Sequence, residues 1–220
     1  NIPVTFVGHP LLDNKNATDS ICKDITTRES VIGLFPGSRD REIARHLPVM
    51  LEAAGLISRR AEKVKFIISL ASSVAREHIE DIVKNYKQTI DFDIVADSVD
   101  KVFRKCRLVV AASGTVTLEA AISGTPMLII YKVSPISYWL GKIMIRVKNI
   151  GLVNLIAGRE IVPELVQSKA SPKNIADTAL NMLNDASGLE MLRNELLGVR
   201  ESLGGPGASE RVAEIALSML

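Results

Sequence analysis

The sequence predicts an α/β protein, a parallel sheet with helices on both faces, and two observations carry that expectation. Short apolar, β-branched runs alternate with apolar residues at helical spacing through the first two thirds of the chain. The runs are apolar throughout rather than at every second position, which is the mark of strands covered on both sides. A chain of 220 residues, 47% of them apolar, has ample material for such a core.

Taken in order, strands are expected over residues 4–7, 31–35, 64–70, 92–96, 108–112 and 127–131. Residues 13–30, with Asn14, Lys15, Asn16, Asp19, Lys23, Asp24 and Thr26, read as a solvated connector ahead of the main domain. Ile43, Leu47, Met50, Leu51 and Ala54 fall at helical spacing, and Pro48 inside that pattern should kink the helix or split it in two. Val74, His78, Ile79 and Ile82 mark a second helix. After Tyr131 the strand signal disappears, and helices are expected over 134–147, 171–185, 188–203 and 208–220. Pro172 sits in a first turn, and Gly204-Gly205-Pro206-Gly207 forms a turn or hinge before the last helix. The main domain is thus expected over 31–205, with a terminal helix over 206–220.

Composition narrows the function. Aromatic residues make up 4% of the chain and the net charge is +2, so neither the stacking platform nor the broad basic field of a nucleic-acid binder is present. The longest apolar runs are too short to span a membrane, and the first residues show no secretion signal. Cys22 and Cys106 are too few and too far apart for a disulfide scaffold, which suits a reducing compartment. The charge is uneven. Residues 120–159 contain no acid but carry Lys132, Lys142, Arg146, Lys148 and Arg159; the rest of the chain holds 22 cations against 25 acids.

Open parallel sheets bind ligands beyond the carboxyl ends of their strands, so the strand-to-helix turns are where chemistry is expected. Pro36-Gly37-Ser38-Arg39 is one such turn. Gly37 permits an unusual backbone, Ser38 can cap the following helix, and the helix-start amides with Arg39 make an anion site. The turn reads equally as a plain capped helix start whose dipole is met by Asp40 and Glu42. Ser113-Gly114-Thr115 is the second turn. With Ser113 as cap, Val116 stands where a capping-box glutamate would close the helix start, leaving amides for an external anion, and Glu119 one turn on can accept from a ribose diol. An ordinary helix with a solvated Glu119 fits the same spacing. Asp91-Phe92-Asp93 lies at the start of a strand, the wrong end of the sheet for a metal site, and His46 and His78 read as surface or packing histidines. Dinucleotide, Walker A, nucleophile-elbow and zinc-helix motifs are missing. In the basic window, Ile136, Trp139, Leu140, Ile143, Met144 and Val147 form one helical stripe beside Lys142 and Arg146, a pattern that suits an anionic membrane surface or a packed interface alike.

These blocks together resemble the lipid-A-disaccharide synthase family, bacterial glycosyltransferases of GT-B architecture. The resemblance rests on Phe6-Val7-Gly8-His9-Pro10-Leu11, Leu34 to Arg39 with Glu42, Ala112 to Ala121, Gly124-Thr125-Pro126-Met127, Tyr131 to Pro135, Gly151 to Arg159 and Val162 to Gln167. The ordered run from Tyr131 to Gln167 is its specific part. It implies a Rossmann-like domain forming the carboxy-terminal, donor-binding half of a GT-B fold, with residues 1–30 as the remnant of a preceding domain and its linker. It implies transfer of 2,3-diacylglucosamine from UDP to 2,3-diacylglucosamine 1-phosphate, no cofactor or metal beyond the UDP-sugar donor, and a cytoplasmic protein peripheral at the inner face of the cytoplasmic membrane. A homodimer through exchanged carboxy-terminal segments is a further implication. The diphosphate site is expected from Ser38, Arg39 as the catalytic group, Ser113, Gly114 and Thr115, with Glu119 on the ribose. The resemblance alone adds Asn154, Glu164 and Gln167 to the site wall. Two alternatives stay open: another UDP-sugar GT-B enzyme, which shares Ser113 to Glu119 but gives no reason for the later run, and a nucleotide-binding module without catalysis of its own.

Overall fold

A computed structural model of the protein describes residues 4–13, 29–61, 63–84, 86, 90–134 and 149–219. Its strands are β1 (Val31–Phe35), β2 (Lys65–Ser69), β3 (Phe92–Val95), β4 (Leu108–Ala112), β5 (Met127–Tyr131) and β6 (Glu164–Val166). They form one sheet in the order β3-β2-β1-β4-β5-β6, and every neighbouring pair is parallel. The helices are α1 (Asp40–Ser58), α2 (Arg76–Val83), α3 (Val99–Lys105), α4 (Thr115–Ile122), α5 (Leu152–Ala157), α6 (Pro172–Asn184), α7 (Ala186–Ser202) and α8 (Ala208–Ser218).

Alternation along each strand divides the core in two. Ile32 and Leu34 of β1, with Phe66, Ile68, Leu108, Val110, Leu128 and Ile130, meet the apolar stripes of α1, α2 and α6. Val31 and Phe35, with Ile67, Val109, Ala111, Met127 and Ile129, meet α3, α4, α5 and α7. Both faces are therefore buried, which is why the strands read as continuous apolar runs. Gly33 lets the end of α3 close on β1: a Cβ there would stand 2.8 Å from the Cys106 sulfur.

The structure departs from expectation in three places. Residues 4–7 form no strand; Val4 and Phe6 are exposed there, so the apolar run has no sheet to join. Pro48 does not split α1, which runs unbroken for 19 residues because its buried face, Ile43, Leu47, Met50, Leu51, Ala54 and Ile57, outweighs one lost backbone hydrogen bond. A strand, β6, does follow Tyr131; three half-buried residues headed by a glutamate carry too little pattern to announce it. Of the helix expected over 134–147, and of its stripe from Ile136 to Val147, residues 135–148 lie outside the described residues, as does Cys22.

The first described residues are fastened to the last helix. Asp13 accepts the N–H groups of Gly207 and Ala208 on one carboxylate oxygen, at 2.6 and 2.9 Å, and the N–H and hydroxyl of Ser209 on the other, at 2.9 and 2.6 Å. It thus caps α8 from the far end of the chain, and the Ser209 hydroxyl and these amides hold its carboxyl well below the usual carboxylate range. Arg211 donates to the Val7 carbonyl, and His9 N–H to the Leu203 carbonyl at 3.0 Å.

Candidate functional site

Sheet order reverses between β1 and β4. The chain leaves β1 toward β2 through α1 on one face, and leaves β4 toward β5 through α4 on the other. Helices departing to opposite faces open a crevice at the carboxyl ends of these two strands, the place where open α/β sheets bind ligands. The two turns singled out in the sequence, 36–39 and 113–115, are the two lips of that crevice.

The first lip holds its own carboxylate. Gly37 adopts φ +124°, and a Cβ there would lie 2.7 Å from a Glu42 oxygen. Glu42 accepts the Ser38 N–H at 3.2 Å and pairs with the Arg39 guanidinium at 2.8 Å. Ser38 is not the cap it was expected to be: Arg39 occupies that position with an extended backbone and no side-chain cap bond. An anion arriving at Arg39 therefore meets an exposed guanidinium already turned toward the helix start, and competes with Glu42 for it.

The second lip is open. Gly114, not Ser113, precedes α4, and no side chain caps the helix. The Thr117 N–H and hydroxyl both donate to the Gly114 carbonyl, at 3.1 and 2.7 Å, while the amides ahead of them have no place in the helix ladder. A Cβ built on Gly114 meets nothing within 4 Å, so the space above this turn is free of described protein atoms. Glu119, one turn into α4, is half-buried and makes no hydrogen bond or ion pair with a described residue. Burial, and then the neighbouring Asp100 carboxylate, push its carboxyl above the ordinary value.

Asn154, Glu164 and Gln167 lie behind the second lip, bound into the chain. Asn154 is fully buried; its amide nitrogen donates to the Val162 carbonyl (2.8 Å) and to Glu164 (2.7 Å), and its oxygen accepts the Ile161 and Val162 N–H groups at 2.8 and 3.0 Å. Glu164 also accepts the N–H groups of Ile150 and Gly151 at 2.8 and 2.9 Å. The Ile150 carbonyl in turn accepts the Ser113 hydroxyl at 3.4 Å, which ties the network to the lip. Gln167, at φ +52°, clasps both backbone groups of Val133, at 3.1 and 3.2 Å. With all four of its hydrogen-bonding positions engaged, Asn154 supports the wall rather than lining it.

His46 is a packing histidine, one of the two readings the sequence allows, and its ring also bonds at both nitrogens. It is buried in α1 with Nδ1 3.1 Å from the Pro36 carbonyl and Nε2 accepting the Lys132 N–H at 3.1 Å. A signal existed, since His46 shares the helical stripe of Ile43, Leu47 and Met50, but a polar residue on an apolar stripe does not say what it bonds. Asp91 is exposed before β3 and Asp93 exposed within it, away from the crevice, as expected. Among the described residues no group of three His, Cys, Asp or Glu side chains is arranged to hold a metal ion, and no helix is long and apolar enough to cross a membrane.

The chain is similar to known proteins. A family model described as Lipid-A-disaccharide synthetase matches residues 1–212. The lipid-A-disaccharide synthase of Geobacter sulfurreducens is 43% identical over 224 residues, covering 100% of this chain and 58% of the relative, so the chain spans little more than half the length of the curated relatives it matches. Among solved structures, a UDP-N-acetylglucosamine 2-epimerase from Listeria monocytogenes aligns with TM-score 0.59 at 15% identity, over 94% of this chain and 51% of that one. A spinosyn rhamnosyltransferase complexed with thymidine diphosphate aligns with TM-score 0.57 at 16% identity, over 88% of this chain and 48% of that one. At such identities these two structures speak to the fold alone.

Proposed function

This chain belongs to the lipid-A-disaccharide synthase family, and from that premise we propose that it binds the UDP-sugar donor of a glycosyl transfer in lipid A formation. The donor is UDP-2,3-diacylglucosamine and the acceptor 2,3-diacylglucosamine 1-phosphate. In a polypeptide of the relatives' full length, an acceptor hydroxyl attacks the anomeric carbon with inversion. A new C–O bond forms as the bond to UDP breaks, and the hydroxyl proton goes to a base on the acceptor side. Negative charge grows on the departing diphosphate. The observation that carries the reading is the uncapped start of α4 at Gly114, where a Cβ would meet no described atom within 4 Å, on the opposite lip from Arg39 where the sheet order reverses. Amides and a guanidinium fixed before the reaction stabilise that charge without reorganising. Ser38, Ser113, Gly114 and Thr115 contribute the backbone and hydroxyl donors, while Glu164 and Gln167, with Asn154 behind them, hold the wall.

Glu119 is assigned to the ribose. A half-buried carboxylate with no side-chain partner among the described residues gains from two hydroxyl donors, and those bonds favour its charged form against the burial that disfavours it. Titrating this chain with UDP in a calorimeter is the direct test: binding is expected, and Glu119→Ala is expected to weaken it about tenfold with the fold intact. Equal affinity in the variant would return Glu119 to the solvent. Added EDTA is expected to leave the titration unchanged. Heat flow absent from the unaltered chain would remove the nucleotide assignment itself.

Membrane contact belongs to the same reading, with the protein peripheral at the inner face of the cytoplasmic membrane. The apolar stripe from Ile136 to Met144 with Lys142, Arg146 and Lys148 supports it by pattern, because cations near an anionic bilayer contribute about 1 kcal/mol each and the apolar face a part that salt does not screen. Reversing the charge of Lys142 and Arg146 is expected to release the protein from vesicles containing phosphatidylglycerol at low salt, read by co-sedimentation. Trp139→Ser is expected to weaken binding at every salt concentration. Retention unchanged in both variants would place the contact elsewhere.

A further inference from the structure

We infer that His46 is a positioning residue of the nucleotide site, its imidazole fixing the separation between the turn after β1 and the exit of β5 so that Arg39 and Lys132 meet one diphosphate. The inference rests on the nucleotide reading of the crevice and adds a residue and a cation to it.

Strands β1 and β5 are not neighbours; β4 lies between them, and their ends stand about 10 Å apart in the sheet. Their outgoing backbones are nevertheless joined by a single side chain, because one ring nitrogen meets the Pro36 carbonyl and the other the Lys132 N–H. The Lys132 amide can only donate, so Nε2 must accept, and the Pro36 carbonyl can only accept, so Nδ1 carries the proton. One neutral tautomer satisfies both ends. The bridge passes the end of β4, where Ser113 and Gly114 form the open lip. Lys132 is the first residue beyond β5; it is half-buried, and its ammonium has no ion pair or hydrogen bond with a described residue. A cation with no counter-charge among the described residues, just beyond the strand next to the one that leads into an uncapped helix start, is chemistry for a diphosphate.

Protonation breaks this arrangement, since an Nε2 that carries a proton cannot accept from an amide. Burial pushes the imidazole below its ordinary value, assisted by Arg45 and opposed by the Pro36 carbonyl and Glu42. Among the described residues, the charged groups that act on the ring are Glu42 and Arg45 on its own helix, while Lys132 beyond β5 meets it through the backbone N–H. With the native value depressed, this contribution to stability is whole above the ordinary value near 6.5 and is lost as the pH falls from there to the native value.

The experiment measures UDP affinity by calorimetry for the unaltered chain and for H46N, H46Q and H46F, with circular dichroism as the control for folding. Asn keeps a group where Nδ1 stands and Gln one where Nε2 stands, so each restores one end of the bridge and Phe neither. The expected result is about a tenfold loss of affinity in H46F, smaller losses in H46N and H46Q, and a ratio of unaltered to H46Q affinity that falls as the medium is acidified from pH 7.5 toward 5. Taking the ratio at each pH cancels the titration of UDP itself. Nitrogen-15 spectra of the unaltered chain are expected to show the neutral form with the proton on Nδ1. A folded H46F that binds UDP as well as the unaltered chain overturns the inference while leaving the nucleotide site standing, and so does a spectrum showing the proton on Nε2. Absence of UDP binding by the unaltered chain defeats the nucleotide reading, and this inference with it.

Discussion

Arg39→Ala is expected to lower turnover by about thirty- to a thousandfold in a polypeptide of the relatives' full length, the loss of about 2 to 4 kcal/mol that follows removal of one group stabilising growing charge. The guanidinium projects from the first lip of the crevice and is held there by Glu42. If Arg39 meets the diphosphate as proposed, its interaction strengthens as the sugar–phosphate bond breaks, so kcat and kcat/KM are expected to fall together rather than KM rising alone. Folding should be indifferent, because the pair with Glu42 is an exposed contact within one helical turn. Arg39→Lys keeps the charge but loses the planar fork, and should fall between the two. Steady-state kinetics on the three proteins decides the matter; an alanine variant with unaltered kcat and intact fold would take Arg39 out of the site.

Asn154→Ala should have the largest effect on stability. The amide satisfies the buried N–H of Val162 and the half-buried N–H of Ile161, the Val162 carbonyl and the half-buried Glu164 carboxylate. Stranded buried groups cost about 1 to 3 kcal/mol each. Partial relaxation of the loop leaves a total of about 3 kcal/mol, or a fall in Tm of about 6 to 12 °C for a chain of this size. Asn154→Asp should be worse at neutral pH, because it sets a second carboxylate against Glu164 and removes both donors. Thermal melts followed by circular dichroism measure this directly. A variant melting with the unaltered protein would mean that the segment from Ile150 to Glu164 holds itself without the amide.

The sheet was legible because burial on both faces writes itself into composition: β1, β4 and β5 were found to the residue as apolar runs, and the turn after β1 carried Gly37, whose φ of +124° favours glycine. What could not be read depends on contacts far apart in the chain. β6 exists because Glu164 to Val166 pair with Ile129 to Tyr131, not because of their own propensity. The roles of Glu42 and His46 are set by what their side chains reach, Ser38 and Arg39 in one case and two strand ends in the other. Asn154 and Glu164 came from family resemblance, and only their hydrogen bonds show them to be a buried brace.

The carboxylate that caps α8 also sets an order of assembly. Asp13 bonds to residues 194 to 196 positions further along the chain, so its partners do not exist until nearly all of the chain between has been made. At about 5 to 20 residues per second a ribosome takes about 10 to 40 s to cover that distance. The sheet from Val31 to Val166 can zip during that interval, whereas the seam between Val7, His9, Asp13 and the last helix cannot. Until it closes, Val7 and His9 lack the Arg211 and Leu203 partners that fix them.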